Sequence, residues 1–416
     1  MKYPFGHIEK SVKSQRALFQ FLVTEHLPEL RAILEKKRGK KSSDPKDKIF
    51  ALFSVLKKLR IEIPQPDYEK SVEDVYRDAV VACINHDKNL YFLFDAPSDH
   101  RHARPSLSSW VPDWSDEGWR YNSPDARIAV TRDRFCAAGP ADPKWSFSHD
   151  QRRLVVSGKI IDLVVYCAES LHIYMQVIAS INPTSEFCRT GSVGVHTMQD
   201  ACRMLDTAFQ TLKSWVDVAS WYAEYQMGGT VQEALFRTLI SDTPRRNPNE
   251  NLSFDAWYKT MTLSDADLLM RSYNRLQQAG LDGPSTPSQA ALESITQQVP
   301  EASPGVLLMT TEASKYHFLV FGFANRRALF TTEEGYMGTA PAVVSKNNQA
   351  ANMIKAGDKI AVVAGLALRP VEIDGPGEVV YRLVTHVYMH GIMYGEAWED
   401  GKYLVQEIVN GVQKFG

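Results

Sequence analysis

Apolar and polar positions follow two different periods along this chain, and the change of period divides it. In the front part, apolar side chains return every three or four positions, the spacing of one helix face. Leu18, Phe21, Leu22, Leu27, Leu30, Ile33 and Leu34 form a broken stripe of this kind, with Pro28 restarting the helix after His26. Asp44 reads as the N-cap of the next helix, Pro45 as its first residue and Asp47 as its third. Carboxylates there favour the positive end of the helix dipole. Ile49, Leu52, Phe53, Leu56 and Leu59 then line one face. I-P-Q-P-D-Y breaks the chain from Ile63 to Tyr68. Ser71 and Asp74 cap a further helix, whose apolar side is Val72, Val75, Ala79, Cys83 and Ile84.

A stretch of different texture follows. Leu107 to Trp119, L-S-S-W-V-P-D-W-S-D-E-G-W, combines indoles, a Val-Pro-Asp corner and acids. It predicts an ordered crossing rather than a helix, a structural joint with Trp110, Pro112, Asp113 and Trp114 at its centre and both indoles buried. Beyond it, Arg134–Gly139 and Leu154–Val165 read as strands, with Gly158 as a bend or bulge. Helical spacing returns from Met198 to Tyr222, and Thr230 with Glu233 forms a capping-box pair before Ala234, Leu235 and Phe236. The polar loop Thr243–Asn251, a helical stretch with Leu268, Leu269, Tyr273 and Leu276, and the linker-like Gly280–Ser288 come next. After Gly305 the pattern is read as strands again: Tyr316–Phe323, Ala328–Thr331, Lys359–Ala364 and Val379–His390, punctuated by glycines.

These elements predict an α+β fold. A helical front over 1–106 leads to the Trp-rich joint at 107–125. A first β segment over 126–197 combines with a C-terminal β module over 305–416 into one barrel-like body, because neither set of strands closes its own edges. A helical insert, 198–304, packs on one side.

Composition narrows the function classes. The 416 residues carry a formal net charge of -2, which gives no global basic field for nucleic acid. The five cysteines are scattered without a C-x-x-C pair, so neither a disulfide framework nor a zinc knuckle is expected. No signal-peptide core and no membrane-length apolar run is present, which predicts a cytoplasmic protein with no membrane partner. The basic run Lys36–Lys41 raises a nuclear address as the sharper reading and a solvated loop as the plainer one. His100 and His102 lack a third ligand at metal spacing, and no cofactor or metal is expected.

Several blocks resemble fungal heterokaryon-incompatibility (HET) domain proteins, downstream of the HET signature motifs. They are D-P-K-D-K-I-F-A-L-F-S-V from Asp44, P-D-Y-E-K-S-V-E-D-V-Y-R-D-A from Pro66, and S-W-V-P-D-W-S from Ser109. L-F-R-T-L-I-S-D from Leu235, R-R-A-L-F-T-T-E-E-G-Y-M-G from Arg326, G-D-K-I-A-V-V-A-G from Gly357 and Y-M-H-G-I-M-Y-G-E-A from Tyr388 continue in the family's order. The Y-x-A-L-S-Y-x-W-G and W-x-D-x-x-C-I-x-Q blocks that open such proteins are not in this sequence, and Phe50 and Lys46 replace the usual Tyr and Arg. The resemblance thus implies the C-terminal body of a HET protein without its effector, whether as a fragment, a truncated gene model or an effector-less form. The missing blocks belong to a domain related to NAD-cleaving and cell-death signalling domains, so no residue of that activity carries over.

Three functions stay open at this point. The favoured one is a non-enzymatic regulatory and recognition body in self/non-self, cell-death signalling, binding a protein partner or small ligand. The second is an enzyme, a hydrolase or an NAD-cleaving one, built on the C-terminal His/Glu region. The third is a scaffold that forms homo-oligomers through exposed aromatics. No G-x-S-x-G elbow or P-loop is present and no catalytic residue is assigned. On a strand His386 and His390 would sit about 13 Å apart, too far to share one ion. The family pattern of polar blocks points to a candidate ligand pocket at Arg327, Asp358, Tyr388, His390 and Glu396.

Overall fold

The structure is a computed structural model. It describes residues 30–31, 33–34, 40–58, 61–96, 104, 106–115, 137–138, 143–173, 192–193, 196–242, 254–261, 314–344, 350–362, 366–371, 379–399 and 401–410. The stripe before Leu30, most of the Lys36–Lys41 run, His100, His102, Trp119, most of Arg134–Gly139, the Leu268–Leu276 stretch and Gly280–Ser288 lie outside the described residues. The chain divides into two compact units, 1–120 with 143–155 and 409–416, and 121–142 with 156–408.

The first unit is helical. Asp44 accepts the Lys46 amide at 2.8 Å, so the capping turn precedes the helix and α1 begins at Asp47 (Asp47–Phe50), followed by α2 (Phe53–Lys58). Asp47 accepts instead from the Tyr68 hydroxyl, at 2.6 Å. Helix α3 (Val72–Asp87) starts as its sequence predicts, with the Ser71 hydroxyl taking the Asp74 amide at 3.1 Å, and it ends on Lys88 at φ 54°. The Asp87 carboxylate takes the amides of Leu30 and Arg31, at 2.8 and 3.1 Å. A turn of 3-10 helix, Tyr91–Phe94, follows α3.

The Trp-rich corner packs into this unit. Trp110 and Trp114 are 0% and 1% exposed, and Val111, Pro112 and Asp113 are buried between them. Trp114 meets Tyr76 edge to face at 5.0 Å and Phe92 at 5.7 Å, a geometry that adds to the area both rings bury. Asp113 makes the corner, taking the Ser115 amide at 2.9 Å. Trp110 lies 5.7 Å from Phe147 on β1 (Trp145–Phe147), and its indole N–H reaches the Arg152 carbonyl at 3.4 Å.

The second unit is organised by one long strand, β2 (Leu154–Leu171). It is bonded to β1, β5 (Arg327–Thr332), β8 (Lys359–Val362) and β12 (Gln406–Asn410), and two of these ladders, both antiparallel, lie on successive stretches. Val164–Leu171 matches β5 and Lys159–Leu163 matches β8, with register shifts in both ladders. The other strands are β3 (Ser192–Val193), β4 (His196–Thr197), β6 (Met337–Val344), β7 (Ala350–Asn352), β9 (Leu366–Val371), β10 (Val380–His386) and β11 (Tyr388–Met389). The main sheet runs β11-β6-β5-β2-β12-β10-β9-β8, so strands from the middle and the C-terminal part form one barrel-like body.

Helices α4 (Met198–Ala219), α5 (Val231–Leu239), α6 (Phe254–Met261) and α7 (Ser314–Ala324) contribute to a shared core with the sheet. Trp215, Trp257, Phe209 and Phe321 are its largest fully buried members from these helices. Trp215 keeps its N–H satisfied by the Glu169 carbonyl at 3.0 Å. The stretch read as a strand at Tyr316–Phe323 is helix α7. A continuous apolar run fits a buried helix as well as a buried strand, and its composition does not distinguish them. Val379–His390 does not form one strand either. It breaks at Val387 between β10 and β11, and β10 pairs with β9 while β11 pairs with β6. Among the described residues no helix is long and apolar enough to cross a membrane.

Candidate functional site

The residues that gather chemistry lie where β11 leaves the sheet. Gly338 of β6 stands opposite Met389. A Cβ at Gly338 would come within 2.3 Å of the Phe330 ring and 2.5 Å of the Tyr388 carbonyl, so this close approach of two backbones needs glycine. The His390 amide continues the pairing to the Met337 carbonyl at 3.1 Å. The chain then turns through H-G-I-M-Y-G-E into α8 (Glu396–Glu399), with Gly391 at φ 83° and Gly395 at φ 101°. Both lie in the left-handed region that glycine adopts without strain.

The end of α5 meets this loop. Its N-cap is Thr230, whose hydroxyl takes the Glu233 amide at 3.1 Å. Beyond Leu239 the chain holds two non-glycine residues at positive φ, Ser241 (49°) and Asp242 (46°), secured by the Asp242 amide on the Arg237 carbonyl at 2.8 Å. This brings the Asp242 carboxylate back under the helix end. One oxygen accepts from the Arg237 guanidinium at 2.9 Å and the other from the Tyr394 hydroxyl at 2.8 Å. Arg237 also donates to Glu233 from two nitrogens, at 3.0 and 2.9 Å. Tyr394 therefore ties the loop to the helix terminus.

Tyr225 fixes the other side. Its hydroxyl donates to the His390 carbonyl at 2.8 Å and accepts from the Met337 amide at 3.3 Å, and its ring stacks on the imidazole at 5.4 Å. Tyr388 Oη lies 3.4 Å from His390 Nδ1. Burial lowers the pKa of His390, against an upward pull from Asp242, and burial raises those of Tyr388 and Tyr225. At neutral pH the imidazole and both phenols are thus uncharged hydrogen-bonding groups. The Glu396 carboxylate accepts the Tyr394 amide at 2.7 Å and closes the loop from below.

Of the residues expected to form a pocket, Tyr388, His390 and Glu396 come together here. Arg327 reaches Thr339, which pairs with Tyr388, and Asp358 lies in the turn before β8. Arg327 is buried on β5, holds Thr339 from Nε at 3.0 Å and from Nη2 at 2.7 Å, and adds to the lowered pKa of His386. Asp358 is buried and takes the Lys355 amide at 2.9 Å. Trp110, Pro112, Asp113 and Trp114 belong to the first unit's core. Sequence reasoning did not single out Arg237, Asp242, Tyr394 and Tyr225. The first two sit in L-F-R-T-L-I-S-D, a block already set apart by its resemblance, and their pairing with a loop some 150 residues later is not readable from spacing. Among the described residues no group of His, Cys, Asp and Glu has the arrangement to hold a metal ion.

A search of curated proteins and a search of solved structures each returned no match. Residues 225–402 match the family model of the Het-6 beta-barrel domain, a range that begins at Tyr225 and takes in every residue of the cluster just described. This stretch of the chain is therefore similar to the Het-6 beta-barrel domain, which is consistent with a HET-type family region, and β2 joins its sheet from outside the matched range.

Proposed function

We propose that this chain is the non-enzymatic recognition body of a fungal HET-type protein, working in self/non-self discrimination and cell-death signalling. The observation that carries the reading is how the polar groups around His390 are used. Tyr225 anchors the His390 carbonyl, Glu396 takes a backbone amide, and Arg237 is shared by Glu233 and Asp242. Such a network holds a loop in one shape. It leaves Arg237, Glu233 and Tyr394 about half exposed at the rim, where a ligand or partner would meet charge and phenol on a rigid frame. General acid-base work asks instead for a group poised near neutrality and aimed at open space.

The test has two arms. Purified protein is assayed for NAD cleavage and for ester and amide hydrolysis, beside His390→Ala and Glu396→Gln. The expected result is no turnover above buffer, and a turnover lost in either variant overturns the reading in favour of a hydrolase or NAD-cleaving enzyme. In the second arm, Arg237→Ala and Tyr394→Phe are expressed in a fungal host and scored for cell death on contact with other strains. The rim variants are expected to change that output while melting as the parent does.

A further inference from the structure

A second surface of the same unit has a different chemistry. Val165 and Tyr166 are consecutive in β2, yet they are 45% and 37% exposed. Regular alternation would bury one of them. The register shift between Val164 and Tyr166 in the ladder with β5 turns both outward, which is how a bulge re-aims side chains. Trp221, just past α4, is 61% exposed and stands edge to face on the Tyr166 ring at 5.0 Å. An indole, a phenol and a valine thus form an open platform beside the β2–β5 ladder.

Among the described residues, the exposed charges beside the platform are mainly acidic. Asp217 precedes Trp221 by one helical turn, Glu224 follows it by three residues, and Glu333 bonds its amide to the Leu163 carbonyl next to the bulge at 2.9 Å. All three acids are exposed. Lys355, in the turn whose Gly357 amide reaches the Val164 carbonyl, is a cation on the Val165 side, and Lys359 pairs with Leu163 just before the bulge. An exposed indole ringed by carboxylates attracts a guanidinium or ammonium on its face and apolar side chains beside it. An anionic lipid surface would be repelled by the same acids.

We propose that the Val165–Tyr166–Trp221 platform is a docking surface for a protein segment in which Lys or Arg alternates with apolar side chains. A basic side chain lies on the Trp221 face, its neighbours contact Tyr166 and Val165, and Asp217, Glu224 and Glu333 set the sign of the partner. This surface is separate from the rim around His390, so either assignment can fail without the other.

The probe is a fluorescently labelled peptide of alternating Leu and Arg, titrated with the full chain and followed by anisotropy, beside the same peptide with Glu for Arg. The Arg peptide is expected to bind and the Glu peptide not. Trp221→Ala should weaken binding about tenfold, Glu333→Gln and Glu224→Gln a few-fold each, and added salt should weaken the parent most. Trp221 is open to solvent, so the variant should melt as the parent does, and Tyr166→Ser serves as an independent second variant. Equal binding of both peptides, or binding indifferent to both substitutions, overturns the proposal. So does sedimentation showing a dimer that Trp221→Ala dissolves, or flotation with phosphatidylserine vesicles that depends on Trp221. Those outcomes assign the platform to a second copy or to lipid.

Discussion

Two of the aromatic clusters among the described residues are built on different plans. At the Trp110–Trp114 corner the rings are closed off from water and meet edge to face with Tyr76 and Phe92. Around His390 the rings of Tyr225, Tyr388 and Tyr394 are held mainly by their hydroxyls, and Tyr394 is 48% exposed. The first cluster draws its strength from area removed from water. The second buries Tyr225 and Tyr388 as well but adds direction, because its phenols are also held by named hydrogen-bond partners. A cluster of the first kind suits a joint, and one of the second kind suits a surface that must keep its shape while meeting something else.

That contrast can be broken at several points. The largest effect is expected at the dry corner. Trp114→Ala leaves a cavity between Tyr76 and Phe92 and should cost the first unit about 3–5 kcal/mol. Hydrogen exchange across Val72–Asp87 reads this directly, and a loss below about 1 kcal/mol would show that the corner carries little of the unit's stability.

Acid should come next, and it should strike the second unit. Burial holds the imidazoles of His317 and His386 down at about 3, from an ordinary 6.5, with Arg327 adding to the effect at His386. A base with a depressed folded-state pKa stays neutral in the fold while the unfolded chain takes up a proton. Stability is therefore complete above pH 6.5 and falls as pH drops toward 3. At pH 5 each histidine should cost about 2 kcal/mol. Urea titrations at pH 7.5 and pH 5 followed by exchange in α7 and β10 check this, and His317→Phe should flatten part of the difference.

Within the polar cluster the effects shrink. Tyr225→Phe leaves the His390 carbonyl and the Met337 amide without their shared hydroxyl and should cost about 1–2 kcal/mol, with faster exchange at Met337 and His390. Arg237→Ala removes ion pairs at a side chain 46% exposed, and less than about 1 kcal/mol should follow. Loss of several kcal/mol at Arg237 would mean that the rim is a buried support, and the division between joint and surface would fail.

Much of the framework was legible before the structure. The hydroxyls of Ser71 and Thr230 cap the helices they announce. Met198–Ala219 forms the helix that its spacing predicts, and the strand at Leu154 runs six residues further than its apolar stretch suggested. The strands that were missed have physical reasons. Met337–Val344 contains Gly338 and Pro341, which read as turn residues. In the sheet Gly338 permits a close backbone approach, and Pro341 is the last residue paired with β5 before the pairing with β7 starts at Ala342. Half of the polar cluster was legible, because Tyr388, His390 and Glu396 share one segment. The other half comes from α5 and from Tyr225, brought in by packing that no local pattern encodes.

The double use of β2 has a consequence for how the protein is made. The strand leaves the ribosome early and its partners late: Lys159 pairs with Val362, roughly 200 residues later. At about 5–20 residues per second, the apolar run L-V-V-S-G-K-I-I-D-L-V-V waits some 10–40 s before β8 exists, and longer still before β12 does. During that interval its edges are open to other nascent chains. Crowded synthesis is therefore a condition under which this fold is exposed to aggregation.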